Sequence, residues 1–187
     1  MNAALATLAI PRFLAVEFLS ALLVAGCFLR FGLSGEAFVA AFFVSVLVVL
    51  SAVDIERRIL PDRIVLPSAA LVLAANVVLA PERWAEWTLA PLGAFLFLFA
   101  AALVYPQGMG MGDVKLCLLL GAALGKLVPV ALVVGLAAAL VPALVLLVMH
   151  GTSGRKMGLP FGPFLAVGAV VALFWGEPLL DAYLSTL

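Results

Sequence analysis

Charge is scarce in this chain. Its 187 residues hold ten basic and ten acidic side chains, 11% of the total, with a formal net charge of zero. A nucleic-acid partner calls for a concentrated basic face, which this balance excludes. Histidine occurs once, at His150, so a Ser–His pair or a His-based zinc site has little to build from, and the residue reads as interfacial rather than as a ligand. The two cysteines, Cys27 and Cys117, stand far apart in apolar surroundings. That argues against a CxxC metal site or a disulfide framework and for buried thiols. No charge run, low-complexity tail or internal repeat occurs. The stretch from Met1 to Thr7 lacks the basic region of a cleaved signal peptide, so the chain is expected to be mature from its first residue.

What fills the chain instead is apolar: 67% of residues are hydrophobic and the mean hydropathy is +1.32. A soluble domain is roughly half apolar and a quarter charged, so this composition belongs in lipid. A spanning helix needs about 20 mostly apolar residues. Such runs lie near Phe13–Phe31, Ala37–Val53, Ile64–Ala80, Thr88–Val104, Val114–Leu124, Val128–Met149 and Phe161–Trp175. In lipid every backbone polar group must be bonded internally, so these runs are helices. The expected fold class is an all-α polytopic membrane protein, a bundle of about seven transmembrane helices, or six if the short fifth run re-enters. Arg30, Gly32 and Gly35 end the first run, Pro61 and Pro67 flank the third, Pro81 closes it, and 151–158 forms a polar loop.

With seven spans, one side receives Arg12, Arg57, Arg58, Arg63, Lys115, Arg155 and Lys156, and the other receives Arg30, Arg83 and Lys126. The richer side is expected to be cytoplasmic, which puts the N-terminus inside and the C-terminus outside. Trp84 and Trp87 then fall at the outer interface as amphipathic anchors.

Two places set carboxylates where apolar helices meet the basic side. One is Asp54, followed by Glu56, Arg57, Arg58, Pro61 and Asp62; the other is Asp113, preceded by Gly108, Gly110 and Gly112 and followed by Lys115. Ionisable groups at membrane depth are costly, so each marks a candidate functional site. Asp54 has a bland alternative as a partner of Arg57 or Arg58, and Asp113 one as a helix cap. A cap, however, explains neither the alternating glycines, which permit φ > 0 or close backbone approach, nor Lys115. Two carboxylates brought together cannot both ionise cheaply and share one proton. One can then act as general base on a water while the other, protonated, polarises a peptide carbonyl. Hydrolysis of this kind uses no Ser or Cys nucleophile and no metal.

Gly110-Met111-Gly112-Asp113-Val114-Lys115-Leu116, Asp54 with Arg58, Leu60, Pro61 and Asp62, the later Pro160-Phe161-Gly162-Pro163 and the stretch Arg12–Leu19 together resemble the type IV prepilin peptidases, GxGD-type membrane aspartic proteases. The resemblance runs from about Arg12 to Trp175. It implies that Asp54 and Asp113 are the catalytic pair of an aspartic endopeptidase at the cytoplasmic edge of the bacterial inner membrane. Gly108, Gly110, Gly112 and Lys115 then form a supporting loop. The implied substrates are prepilins and pseudopilins of type IV pilus or secretion systems, cut after a glycine that ends a short basic leader and precedes an apolar helix. Glu56 and Asp62 are expected to attract that leader, Lys115 to pair with an acidic group near the new N-terminus, and Pro160, Gly162 and Pro163 to help bind substrate. The whole chain, 1–187, reads as one membrane peptidase domain, with a scaffold helix at 13–31 and a catalytic helical core at 37–176. Besides the precursor, membrane lipid is the expected partner.

Many bacterial members also methylate the new N-terminus and carry an extra first helix and a domain with paired CxxC motifs. This sequence shows neither feature, so a peptidase-only form is expected, with no cofactor and no metal. The glycine loop is expected to move, with the two carboxylates apart until substrate enters. Three other readings compete. A presenilin-like or signal-peptide-peptidase-like protease, which pairs a Tyr-Asp with a later Pro-Ala-Leu, ranks below because Val53 precedes Asp54 and the late motif is read as Pro160-Phe161-Gly162-Pro163. A small proton- or cation-coupled transporter calls for an internal repeat. A purely structural module leaves the glycines and both aspartates unexplained.

Overall fold

The computed structural model describes residues 2–104, 110–150 and 160–186. Among these no strand occurs, and seven α-helices account for nearly all of them. In chain order they are α1 (Asn2–Phe31), α2 (Gly35–Arg57), α3 (Asp62–Leu79), α4 (Trp84–Val104), α5 (Met111–Leu124), α6 (Val128–His150) and α7 (Gly162–Leu184). Single 3-10 turns at Pro81–Arg83 and Gly125–Leu127 precede α4 and α6.

The helices begin and end for local reasons. Gly32, with φ 66°, stops α1 and returns its N–H to the Phe28 carbonyl at 2.9 Å. Ser34 caps α2 by accepting the Ala37 N–H at 3.2 Å. Pro61 stands just before α3, and Pro67 lies inside that helix rather than flanking it. Prolines also sit within α4, α6 and α7, at Pro91, Pro142 and Pro178, as membrane helices allow when neighbours satisfy the freed backbone groups. Both ends of the apolar runs extend further than hydropathy indicates. α1 reaches back to Asn2, and α7 continues past Trp175 through Glu177 and Asp181, because a helix does not stop where its apolar run does.

The bundle has two ends that can be told apart by side chains. Asp54, Leu60, Gly112 and Gly162 gather at one. At the other, Gly35 meets Leu79, and a cavity of about 220 Å³ is rimmed by Arg30, Glu36, Arg83, Lys126 and Glu177. Arg57, Arg58, Arg63 and Lys115 lie at the Asp54 end, so the described cations divide between the ends as their number along the sequence implies. Trp84 is exposed near the far end, but Trp87 is 8% exposed, lies beneath the Arg83 guanidinium at 4.7 Å and packs beside Gly125. It is an internal packing residue rather than an interfacial anchor, since the turn at Gly125 folds over it.

Six stretches are long and apolar enough to cross a membrane, and one of them, Met111–Val145, contains both α5 and most of α6. α5 alone has 14 residues, about 21 Å of helix against a hydrocarbon core of about 30 Å. It does not double back. Gly112 at its start packs on Leu60 at the Asp54 end, and Gly125 just past its last residue packs on Glu86 and Trp87 at the other. α6 then returns, since Ala131 faces Gly168 while Gly135 faces Phe164 and Leu165, nearer the start of α7. Nine of the fourteen residues of α5 are buried, so this helix is enclosed by protein and need not match the lipid thickness. The protein is an all-α, multi-pass membrane protein, with seven α-helices among the described residues.

Small residues set the helix spacing. A Cβ on Gly121 would run into the Pro91 backbone, and one on Gly168 into the Ala131 carbonyl oxygen. Water drives little association between helices in lipid, so close backbone contact and dispersion hold them together. Asn76 adds a buried bond from α3, its Nδ2 donating to the Ala122 carbonyl at 2.8 Å.

Candidate active site

Asp54 occupies the last turn of α2 and is 5% exposed; it lies inside the helix rather than after it. The end of α2 curls over it. Arg58 takes the left-handed conformation, φ 53° and ψ 37°, and returns its N–H to the Asp54 carbonyl at 2.8 Å. Its guanidinium lies within electrostatic reach of the Asp54 carboxylate. The direct ligand of that carboxylate comes from α7, where the Gly162 N–H donates to Oδ2 at 3.0 Å. Gly162 is the first residue of α7, so a free N–H of a helix start is aimed at an acid.

Asp113 sits in the first turn of α5 and is 9% exposed. Its backbone N–H donates to the Gly110 carbonyl at 3.1 Å, and its carboxylate lies beside the backbone of Gly110, the residue that caps α5, so a part in starting the helix stands alongside the candidate catalytic one. Asp113 lies within electrostatic reach of Asp54, and no hydrogen bond joins the two carboxylates among the described residues. The two aspartates singled out in the sequence thus meet at one end of the bundle, both buried, brought there by α2 and α5.

The glycines serve proximity and not unusual torsions. Gly110 has φ −75° and ψ 142°, open to any residue, but a Cβ there would lie 3.2 Å from Asp113 Oδ2. A Cβ on Gly112 would lie 3.0 Å from the Leu60 Cβ. Leu60, buried between α2 and α3, is therefore a lid on the first turn of α5. Gly108 lies outside the described residues.

The remaining candidates divide. Lys115 and Asp62 form an ion pair, half open to solvent, so each is the other's partner in the free protein. Lys115 is thus already engaged by an acid of its own chain, because α3 begins alongside the first turn of α5. Glu56 is exposed and has no ion-pair partner among the described residues. Gly162, expected to help bind substrate, donates its N–H to Asp54, while Pro163 borders an apolar groove and Pro160 is half-buried beside the helix start. Among the described residues no three His, Cys, Asp or Glu side chains gather as metal ligands.

Fold and site together define a multi-pass helical membrane protein with two buried aspartates at one end, within electrostatic reach of each other. Residues 41–150, which contain both, match the type IV leader peptidase family. The chain is similar to the prepilin leader peptidase/N-methyltransferase of Bacillus subtilis (strain 168), 32% identical over 173 residues, which cover 91% of this chain and 69% of that protein. The protein of the same name from Burkholderia pseudomallei (strain 1026b) is 34% identical over 89% of this chain and 56% of its own length. That of Xanthomonas campestris pv. campestris is 32% identical over 90% and 61%. No solved structure matches the chain. The chain belongs to the type IV leader peptidase family, and it spans between 56% and 69% of the length of these three relatives.

Proposed function

We propose that this chain cuts the leader from prepilin or pseudopilin precursors, hydrolysing the bond after the leader glycine with Asp54 and Asp113 as the catalytic pair. The observation that carries the reading is the burial of these two aspartates within electrostatic reach of each other at one end of a membrane bundle, with Asp54 held by the Gly162 N–H. Membership of a leader peptidase family and relatives named as prepilin leader peptidases support the substrate class.

Oδ2 of Asp54 accepts from Gly162, so Oδ1 is the oxygen left to take a proton from a water. Asp113 carries the proton the pair shares and donates it toward the oxygen of the scissile carbonyl. The water oxygen bonds to the carbonyl carbon while its proton passes to Asp54. The C–N bond then breaks as Asp54 returns that proton to the leaving amine, and a hydroxyl of the tetrahedral intermediate gives its proton back to Asp113 as the carbonyl re-forms. The excess of cations at this end supports a cytoplasmic location in the bacterial inner membrane. Exposed Glu56 is the acid available to a basic leader, because Asp62 is neutralised by Lys115.

Cleavage of a prepilin-like precursor in membranes tests the reading. The unaltered chain cuts after the leader glycine, while Asp54→Asn and Asp113→Asn, inserted to equal levels, lose at least about a thousandfold. An inactive parent protein on several such precursors, or an Asn variant that still cuts, rules the assignment out.

A further inference from the structure

Between α1, α2 and α7 runs a groove of about 370 Å³ that ends beside Asp54. Its walls come from residues such as Val16 and Leu19 of α1, Ala52 and Ile55 of α2, and Val167 and Val170 of α7, and Ser51 is its sole polar side chain among the described residues. Near the far end Cys27 is fully buried and a Cβ on Gly26 would lie 3.2 Å from the Phe174 ring. Little of the spanning stretch of α1 is buried. The wedge between α1, α2 and α7 is lined next to Asp54 by Ser51, Ile55 and Pro163.

We infer that this wedge seats the apolar helix of the precursor, immediately downstream of the bond that is cut; the inference rests on the function proposed above. Both of its inner walls are the helices that hold Asp54. Ser51 and Ile55 bracket Asp54 on α2, and Pro163 follows the glycine whose N–H binds it. A chain leaving the carboxylates toward the bilayer therefore enters the groove without crossing another helix. Along α2 the groove runs from Leu47 to Ile55, about 12 Å, or a little over two helical turns. That accepts one face of an apolar helix, with anchors at i, i+3 or i+4, and i+7, while its other face stays in lipid. The volume is too small for a whole helix of about 10–12 Å diameter. A peptide of this chemistry suits the site better than a polar ligand, since a single hydroxyl lines it.

Two measurements test this in membranes with the full chain. In an Asp54→Asn background, which keeps the precursor intact, Val167→Cys supplies an accessible thiol beside the buried Cys27 and Cys117. It is expected to crosslink to a cysteine in the first two turns of the precursor's apolar helix and not to one at the distant end. In the active protein, Val167→Trp narrows the groove, and Val133→Trp places the same bulk on an apolar face of α6. Val167→Trp is expected to lower kcat/KM on the whole precursor at least about tenfold while leaving a short leader peptide without the apolar helix within about twofold. Val133→Trp changes neither. Absence of the near crosslink identifies a lipid-filled groove and overturns the inference, as does equal slowing of both substrates by Val167→Trp. Retention of cleavage by Asp54→Asn sinks the catalytic reading alone, because the crosslink still reports where the helix lies.

Discussion

The backbone N–H of Gly162 donates to Oδ2 of Asp54 across 3.0 Å, and this bond ties the first turn of α7 to the last turn of α2 over 108 residues of sequence. It gives a buried carboxylate a fixed direction. It also explains why a glycine stands there, since a Cβ would sit 2.8 Å from that same oxygen.

Gly162→Ala is therefore expected to push the Asp54 carboxylate aside without disturbing the fold. Misplacement of a reacting group by about 1 Å costs on the order of a hundredfold in rate. Leader cleavage should fall about ten- to a hundredfold while thermal stability in detergent shifts by less than about 1 kcal/mol. Unchanged cleavage would show that the position of Asp54 does not depend on this bond.

Gly112→Ala should slow cleavage by displacing Leu60, whose Cβ lies 3.0 Å from where the new methyl would stand. Alanine also raises helix propensity by about 1 kcal/mol, so the variant should not unfold. If the contact with Leu60 is the cause, Leu60→Ala restores part of the lost rate in the double variant, a non-additivity read from a double-mutant cycle. Strict additivity would assign the loss elsewhere.

Removing either partner of the Lys115–Asp62 pair should change stability by less than about 1 kcal/mol, because both are well exposed and such pairs contribute little. Cleavage by Lys115→Ala is expected to slow all the same, since the pair joins the start of α3 to the first turn of α5 beside Asp113. The exchange Lys115→Asp with Asp62→Lys should recover rate relative to either single change. If the exchanged pair is as slow as the singles, Lys115 acts through its own charge and not through the tie.

Gly168→Ala should destabilise the bundle, since the methyl would run into the Ala131 carbonyl oxygen and lie 2.7 Å from the Gly135 nitrogen. Forcing α6 and α7 apart costs about 1–3 kcal/mol. Gly93→Ala on α4 is the control, with open space where its Cβ would go. The first should melt at lower temperature in detergent and the second should not; equal melting would mean that α6 and α7 tolerate separation.

The helices were legible because their signal is one-dimensional. Apolar run length locates seven segments, and the observed α2, α3, α4 and α6 begin and end within a few residues of those runs. The short fifth run is also as expected, a 14-residue helix. Hydropathy cannot show why brevity is tolerated there, because burial among α3, α4 and α7 is a property of neighbours. Trp87 was misread for the same reason: an amphipathic ring at a helix start suits an interface or a crevice equally, and the turn at Gly125 decides.

Asp54 and Asp113 could be named from sequence, since a carboxylate at the edge of an apolar helix is costly and so conspicuous. The sequence by itself determined the membrane class, the number and order of the helices, and which two acids to suspect. Only the tertiary structure decided that Gly162 serves Asp54, that Lys115 is spent on Asp62, that Leu60 covers Gly112, and that a wedge opens between α1 and α7. Cost of burial is written residue by residue, whereas a partner is chosen by which helices lie side by side, and contacts over long sequence separation leave no periodic trace in the chain.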